Sequence, residues 1–241
     1  MTTLSVPSRE ALKKTSTATL TTVLFKRGLR NVFIQGVFLL NKSAPRMVGE
    51  AYTLRFIPAR EDLDTLGAFE GRGHPQREAI EACPPGQVLV MDARRDASAA
   101  TGGDILMTRL MVRGVAGIVT DGGLRDSPTI EKLPWPAYCT ARSAPLNLVR
   151  HHAVDSQLPI GCGGVAVYPG DIVVGDGDGV VIIPSQIANE VAEEAANQTL
   201  FEDWVEDKVR AGRSIFGLYP ASPETRAEFE AWKKSAGRQA R

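Results

Sequence analysis

The chain has 241 residues, 43% of them hydrophobic, with 28 Lys+Arg against 28 Asp+Glu and a formal net charge of zero. That supplies a sizeable core for one large domain and lacks the basic excess of a nucleic-acid surface. No run approaches the ~18 apolar residues of a membrane span, and Met1 to Lys14 lacks the apolar stretch of a signal peptide, so a cytoplasmic protein with no nucleic-acid or membrane partner is expected.

Leu12 to Arg27 reads as one or two short helices closed by Gly28 as a left-handed cap. Val32 to Leu40 and Val48 to Ile57 carry the β-branched and aromatic residues of strands. Arg60 to Gly73 is a loop or short helix, and Arg77 to Ala82 a helical turn stopped by Pro84-Pro85-Gly86. Gln87 to Asp92 reads as a buried strand. Gly102 to Arg113 suits a helix opening at a glycine pair, and Ala116 to Thr120 a short apolar strand, which together make a βαβ unit with parallel strands. Asp121 to Pro128 is a loop and Trp135 to Cys139 a further strand. Pro159 to Val167, Asp171 to Val174 and Val180 to Ile183 are strands separated by turn sequences. A long helix opens at Ser185, taken as its N-cap, and runs to about Arg210 before Gly212. A short helix over Pro223 to Lys234 completes the pattern. One α/β domain over residues 1–212 with a helical extension over 213–241 is the expected organisation.

Some chemistry is excluded at once. Cys83, Cys139 and Cys162 are too far apart for a disulfide framework and read as reduced, buried thiols. His74, His151 and His152 offer no zinc spacing, and the adjacent pair reads as loop histidines without an acidic partner nearby in sequence. Asp176-Gly177-Asp178-Gly179 superficially resembles a calcium loop but lacks the required Gly and Glu, which leaves a hairpin. Neither GxGxxG nor GxxxxGK[ST] occurs.

Two segments carry chemistry. Asp121-Gly122-Gly123-Leu124-Arg125-Asp126 places two carboxylates and a guanidinium after an apolar strand, where ligands gather in α/β folds. An aspartate for a cation and the arginine for an anionic substrate is one use; a solvated turn with a weak surface ion pair is the other. Gly102-Gly103-Asp104 starts a helix, so free N–H groups at the positive dipole end form an anion site, unless this is an ordinary glycine start.

Twenty residues separate Asp104 from Arg125-Asp126, giving D-x20-R-D. This spacing, the run RGVAGIVTDGGLRD and the later PGDIVVGDGDGVVIIP resemble the family of the regulator of ribonuclease activity and the 4-hydroxy-4-methyl-2-oxoglutarate/4-carboxy-4-hydroxy-2-oxoadipate aldolases. The resemblance spans roughly Thr17 to Gly212. It implies an α/β/β/α sandwich of the swivelling type, assembled as a homotrimer or homohexamer with the site at the subunit interface. It further implies that Arg125 holds the pyruvyl oxygen and Asp126 binds Mg²⁺ or Mn²⁺. Backbone amides of Gly103, Asp104, Ile105 and Leu106 would grip the pyruvate carboxylate, and Asp104 would be the first member of the catalytic motif. An acidic residue from a neighbouring subunit's C-terminal helix completes the family site; Glu202 and Glu206, one turn apart, are candidates, with a solvated acidic helix face as the simpler reading of either.

The expected activity is thus metal-dependent cleavage of a 4-hydroxy-2-oxo acid or related 2-oxo acid to release pyruvate, with oxaloacetate decarboxylation as a side activity. No lysine reads as a strand-end Schiff-base nucleophile, which favours the metal route. The alternative, from the same resemblance, is a non-catalytic protein-binding module of the ribonuclease-regulator kind. The residues that read the far end of the substrate are not fixed by the motif; the Arg60-to-Arg77 segment is a candidate cover.

Overall fold

Side chains alternate across each central strand and thereby sort themselves into three buried layers, each a separate core. The computed structural model describes residues 3–239. In β3 (Val88–Asp92), Leu89 and Met91 face one core while Val88 and Val90 face another. In β11 (Ile172–Gly175) and β12 (Val180–Ile183), Ile172, Val174, Val181 and Ile183 enter a third core, and Val173, Val180 and Ile182 join Val88 and Val90. Strands buried on both faces read as continuous apolar runs, as these do.

One outer core is covered by α3 (Pro75–Ala82), α4 (Asp104–Val112) and the single turn α5 (Ser127–Ile130), which supply Ile80, Leu110 and Ile130. The other is covered by α1 (Val6–Lys14), α2 (Thr17–Lys26) and α6 (Ala188–Arg210), which supply Leu12, Leu24 and Val191. Between them lies an all-β core that includes the fully buried Tyr138. The layers run helix, sheet, sheet, helix, the expected α/β/β/α sandwich.

Strand β2 (Met47–Pro58) joins the layers. Val48 packs with the α1/α2/α6 core, Ala51 with the central one, and Leu54 and Phe56 with the α3/α4 core. Its start pairs antiparallel with β11, its middle parallel with β3, and its end antiparallel with β8 (His151–Ser156). The sheet runs β1 (Phe38–Leu39), β6 (Ala137–Cys139), β4 (Gly117–Thr120), β3, β2, β11, β12, and the short strands β5 (Gly123–Leu124) and β7 (Ala141–Arg142) pair parallel beside it. Within it β3 and β4 are parallel, joined through α4 as the sequence pattern predicts. After α6, α7 (Pro223–Gln239) folds back, and Phe229 closes a small aromatic cluster with Trp204 and Phe201.

Four expectations need correction. Val32 to Leu40 is not one strand: Gly36 takes φ 81° and leaves only a bridge at Phe33 and the two-residue β1. Pro159 to Val167 is two strands, β9 (Ile160–Cys162) and β10 (Val165–Val167), folded into a hairpin by Gly163 and Gly164, both at positive φ. Ser185 does not cap α6: a 3₁₀ turn over Ser185–Ile187 precedes the helix, and the Ser185 N–H donates to Asp171 Oδ1 at 3.4 Å. His151 and His152 are not loop residues but open β8, and His152 Nδ1 meets an acidic partner distant in sequence, Asp64, at 2.9 Å. The three cysteines are free and buried as expected, and burial pushes Cys83 and Cys139 up to about 12. No helix among the described residues is long and apolar enough to cross a membrane.

Candidate active site

Leaving β3, the chain runs through residues 93–103 to the start of α4; leaving β4, it runs through residues 121–126 to α5. Because β3 and β4 are parallel neighbours, both segments emerge at the carboxyl end of the sheet, where α/β folds place ligands. They then zip together. Ala100 bridges Gly123, the Thr101 N–H donates to the Gly123 carbonyl at 2.8 Å, and the Arg125 N–H donates to the Gly102 carbonyl at 3.0 Å. The twenty residues of the motif are therefore α4, β4 and the two-residue β5, the length needed to bring Arg125-Asp126 back against the start of α4.

Glycines permit the approach. A Cβ on Gly103 would lie 2.7 Å from Asp126 Oδ2 and 3.0 Å from Arg125 Cγ, so the pair occupies the space a side chain would fill. A Cβ on Gly122 would meet Ala93 at 2.6 Å and Thr101 at 2.8 Å.

The two aspartates of the loop part company. Asp121 is buried, 1% exposed, and accepts the N–H groups of Ala93 at 2.6 Å, Arg95 at 3.2 Å and Gly163 at 2.9 Å. Burial raises its carboxyl above the ordinary value in spite of those bonds. It ties the segment after β3 to the β9–β10 turn and offers no oxygen to a ligand. Asp126 is the opposite. It sits in left-handed backbone (φ 54°, ψ 31°) at the start of α5, where its carbonyl accepts from Thr129 and Ile130. Its carboxylate does not cap that helix; its contact is Arg125 Nε at 3.1 Å. Aspartate tolerates this conformation at modest cost, and the conformation frees the carboxylate.

At the α4 terminus, the Ile105 N–H is taken by Asp104 Oδ1 at 2.8 Å, and the Gly103 carbonyl accepts from Met107 at 3.1 Å. The N–H groups of Gly103, Asp104 and Leu106 have no acceptor among the described residues, and they stand at the positive end of the helix dipole. A cavity of about 360 Å³ opens there, lined by Gly103, Asp104, Ile105, Leu106, Arg125 and Asp126 together. All six sequence-predicted residues thus share one pocket.

The pocket has other walls that the motif does not announce. Gln76, on α3, donates through Nε2 to the Thr101 carbonyl and accepts from Asn147 Nδ2 at 3.0 Å. This buried amide pair is part of the lining, each side chain bonded to the other. Leu66, Phe69 and Arg77 come from the segment expected to cover the site, whereas Leu146 and Asn147 come from a 3₁₀ turn that gave no sequence signal. Glu202 and Glu206 do not line this pocket. Glu202 accepts from Thr19 Oγ1 at 2.7 Å and Gln198 Nε2 at 2.9 Å, and Glu206 pairs with Arg210.

Among the described residues no three His, Cys, Asp or Glu side chains cluster as a metal cage. The donor set facing the pocket is instead Asp104 and Asp126, hard carboxylate oxygens beside open solvent-sized space. That set fits Mg²⁺ or Mn²⁺, which bind through one or two carboxylates and keep several waters, and it does not fit zinc.

The model of the Aldolase/RraA family, RraA-like, matches residues 17–182. The chain belongs to this family. A protein of Halalkalibacterium halodurans, named "Putative 4-hydroxy-4-methyl-2-oxoglutarate aldolase", is 34% identical over 162 residues, covering 65% of this chain and 74% of its own. Among solved structures, Streptomyces coelicolor RraAS2, an unusual member of the RNase ES inhibitor RraA protein family, is 30% identical with a TM-score of 0.74, over 84% of this chain and 96% of that one. An uncharacterized protein from Pseudomonas syringae pv. tomato superposes with a TM-score of 0.77 over 91% of this chain and 100% of its own; at 23% identity it attests the fold alone.

Proposed function

We propose that the protein is a divalent-metal-dependent aldolase that cleaves a 4-hydroxy-2-oxo acid and releases pyruvate. One observation carries this reading: Arg125 and Asp126 are pressed onto Gly103, so a guanidinium, a carboxylate whose recorded contact is that guanidinium, and an open helix N-terminus share one pocket. The name of the Halalkalibacterium relative agrees with it.

The chemistry follows from the groups present. The unpaired N–H groups of Gly103, Asp104 and Leu106 receive the carboxylate of the 2-oxo acid. Arg125 lies against the C2 oxygen. Cleavage breaks the C3–C4 bond as the C4 hydroxyl gives up its proton to water in the open pocket and C4 leaves as the carbonyl of the second product; the electron pair of the broken bond runs to C3 and the C2 oxygen, and a proton returned from water to C3 yields pyruvate. Negative charge therefore builds on the C2 oxygen, and a fixed guanidinium that stays protonated stabilises it without exchanging a proton. Asp126, with Asp104, would hold Mg²⁺ or Mn²⁺, whose contribution is Lewis-acid polarisation of the 2-oxo group. Loss of CO₂ from oxaloacetate develops the same charge and is the expected side activity.

Assembly belongs to the same proposal. The pocket is open on one side, and a trimer or hexamer would let Glu202 or Glu206 of a neighbouring subunit complete it. Light scattering should give a trimeric or hexameric mass; a monomer at working concentration contradicts this part. A cytoplasmic location is proposed with it. A second reading, a protein-binding module of ribonuclease-regulator type, rests on the name of the Streptomyces neighbour, and it gives the pocket no task. Pyruvate release from a panel of 4-hydroxy-2-oxo acids and 2-keto-3-deoxy sugar acids, with Mg²⁺ and then with chelator, separates the two. The aldolase reading expects turnover that chelator abolishes and Mg²⁺ restores; no release from any member of the panel favours the binding module.

A further inference from the structure

The buried amide pair gives the pocket an acceptor that the cleavage chemistry leaves unused. Gln76 and Asn147 line the same cavity as Arg125, and they are only 2% and 7% exposed. Their amides can face only one way. Gln76 turns one end to the Thr101 carbonyl, which can only accept, so that end is the Nε2 donor. Its Oε1 therefore faces Asn147 and accepts from Nδ2 at 3.0 Å. Asn147 Oδ1 is left on the other branch of the amide, with no donor among the described residues. It is not one of the polar atoms sealed away from both partner and solvent, so it opens on the cavity that Asn147 lines.

Asn147 is also held at a fixed place relative to Arg125. The chain that leads to it is stitched to both halves of the motif: β7 pairs with β5, the Ser143 N–H donates to the Leu124 carbonyl at 2.9 Å, and the Ala100 N–H donates to the Pro145 carbonyl at 2.8 Å. Asn147 then opens a 3₁₀ turn, and its carbonyl accepts from the Arg150 N–H at 2.9 Å. A neutral oxygen locked in this way is preorganised to accept one hydrogen from a ligand. A carboxylate against it would set oxygen against oxygen. An aliphatic tail would strip water from Oδ1 and offer no hydrogen bond in return, which weakens binding. A hydroxyl supplies the missing donor.

We propose that Asn147 is a specificity residue whose Oδ1 accepts a hydrogen bond from a hydroxyl on C5 of the substrate, which makes the substrate a 4,5-dihydroxy-2-oxo acid of the 2-keto-3-deoxy sugar-acid type and the second product a hydroxylated carbonyl compound. The inference rests on the reading of Arg125 and the α4 terminus as the pyruvyl end. The C4 hydroxyl is not the partner, because it must release its proton during cleavage and an amide oxygen is too weak a base to take it. Asn147 thus sorts substrates by the departing fragment and takes no part in bond breaking. Its neighbours Leu146 and Phe69 are apolar, and the cavity of about 360 Å³ suits so short a chain.

The test is equilibrium binding in Mg²⁺ buffer by calorimetry, with three 2-hydroxy acids that lack the 2-oxo group and so are not cleaved: 2-hydroxypentanoate, 2,5-dihydroxypentanoate and 2-hydroxy-5-methoxypentanoate. The wild type should bind the 5-hydroxy acid about 3- to 10-fold more tightly than 2-hydroxypentanoate, the range of one neutral hydrogen bond. The methoxy acid, which accepts but cannot donate, should bind no more tightly than 2-hydroxypentanoate. Asn147→Ala should abolish the preference for the 5-hydroxy acid and leave the affinity for 2-hydroxypentanoate unchanged. No preference in the wild type, a preference that survives in Asn147→Ala, or a methoxy acid that matches the 5-hydroxy acid each overturns the proposal. Thermal melts identify a misfolded variant; Asn147→Ser, which keeps a donor for Gln76 but is too short to reach the ligand, then carries the decision and should show the same loss of preference. Because binding is read without turnover, the two readings fail separately. Pyruvate release with an indifferent Asn147 refutes this inference alone, and a hydroxyl preference that depends on Asn147 without pyruvate release from any substrate refutes the aldolase alone.

Discussion

Asp121 and Asp126 stand five positions apart on one loop, and their surroundings assign them opposite work. Asp121 is sealed beneath the loop, its oxygens spent on three backbone N–H groups. Asp126 is turned outward by a left-handed backbone, with 41% of its side chain exposed and the neighbouring arginine as its contact. The same residue type is a structural tie in one place and, in the proposed reaction, a metal donor in the other. Burial and the supply of N–H donors decide which, and neither quantity is visible in the string Asp-Gly-Gly-Leu-Arg-Asp.

Substitutions sharpen that contrast. On the Asp126 side the largest effect is expected from Arg125→Lys, which keeps the charge and loses the planar fork. The loss of one preorganised contact to a developing oxyanion costs about 10²–10³ in kcat, while the melting temperature should move little because the residue is exposed. Wild-type turnover in this variant would make the pair a surface ornament. On the Asp121 side the order reverses. Asp121→Ala leaves three N–H groups without their acceptor and should cost about 3 kcal/mol or more of stability, roughly 6–12 °C in Tm for a chain of this size. An unchanged melt would show that solvent replaces the carboxylate freely.

Gly103→Ala probes the contact between the two motif halves. The added Cβ collides with Asp126 Oδ2 and Arg125 Cγ, so the pair must shift outward. Turnover should fall by roughly tenfold or more, as small misplacements at a reacting centre do, with a melt close to wild type. Equal turnover would mean that the close approach is incidental.

The smallest effect concerns His151, fully buried in β8 between Arg94 and the Ala99 carbonyl. Burial lowers its proton affinity below the ordinary imidazole value of 6.5. The unfolded chain then binds the proton more readily, so stability is complete above pH 6.5 and falls as the pH drops towards the depressed folded value, by at most about 1.4 kcal/mol per pH unit. Melts of the wild type from pH 7.5 down to 5.5 should show this slope, and His151→Gln should flatten it. Identical slopes would assign the acid sensitivity elsewhere.

Much of the fold could be read from residues because it is periodic and local. β3, α4 and β4 appear in order as an apolar run, a helical pattern after two glycines, and another apolar run, and their parallel pairing follows from the crossover. The D-x20-R-D spacing is that same unit measured in residues, which is why the meeting of Arg125 and Asp126 with the start of α4 was legible. What escaped is non-local. β8 reads His-His-Ala-Val-Asp-Ser, with no apolar alternation, and is a strand because the far end of β2 offers it a partner. Gln76 and Asn147 are 71 positions apart and meet only once α3 and the 3₁₀ turn over Asn147–Val149 are packed. The Val32 to Leu40 run has strand composition, but Gly36 turns the backbone out of the sheet.

The account depends most on Asp126 as the carboxylate that admits a divalent ion. The direct measurement is kcat of Asp126→Asn across a Mn²⁺ titration, set beside the wild type. The predicted result is a titration displaced to higher Mn²⁺ with partial recovery of turnover at saturation and an unaltered melt. Wild-type turnover at the same metal concentration, or a wild type indifferent to chelator, would contradict it.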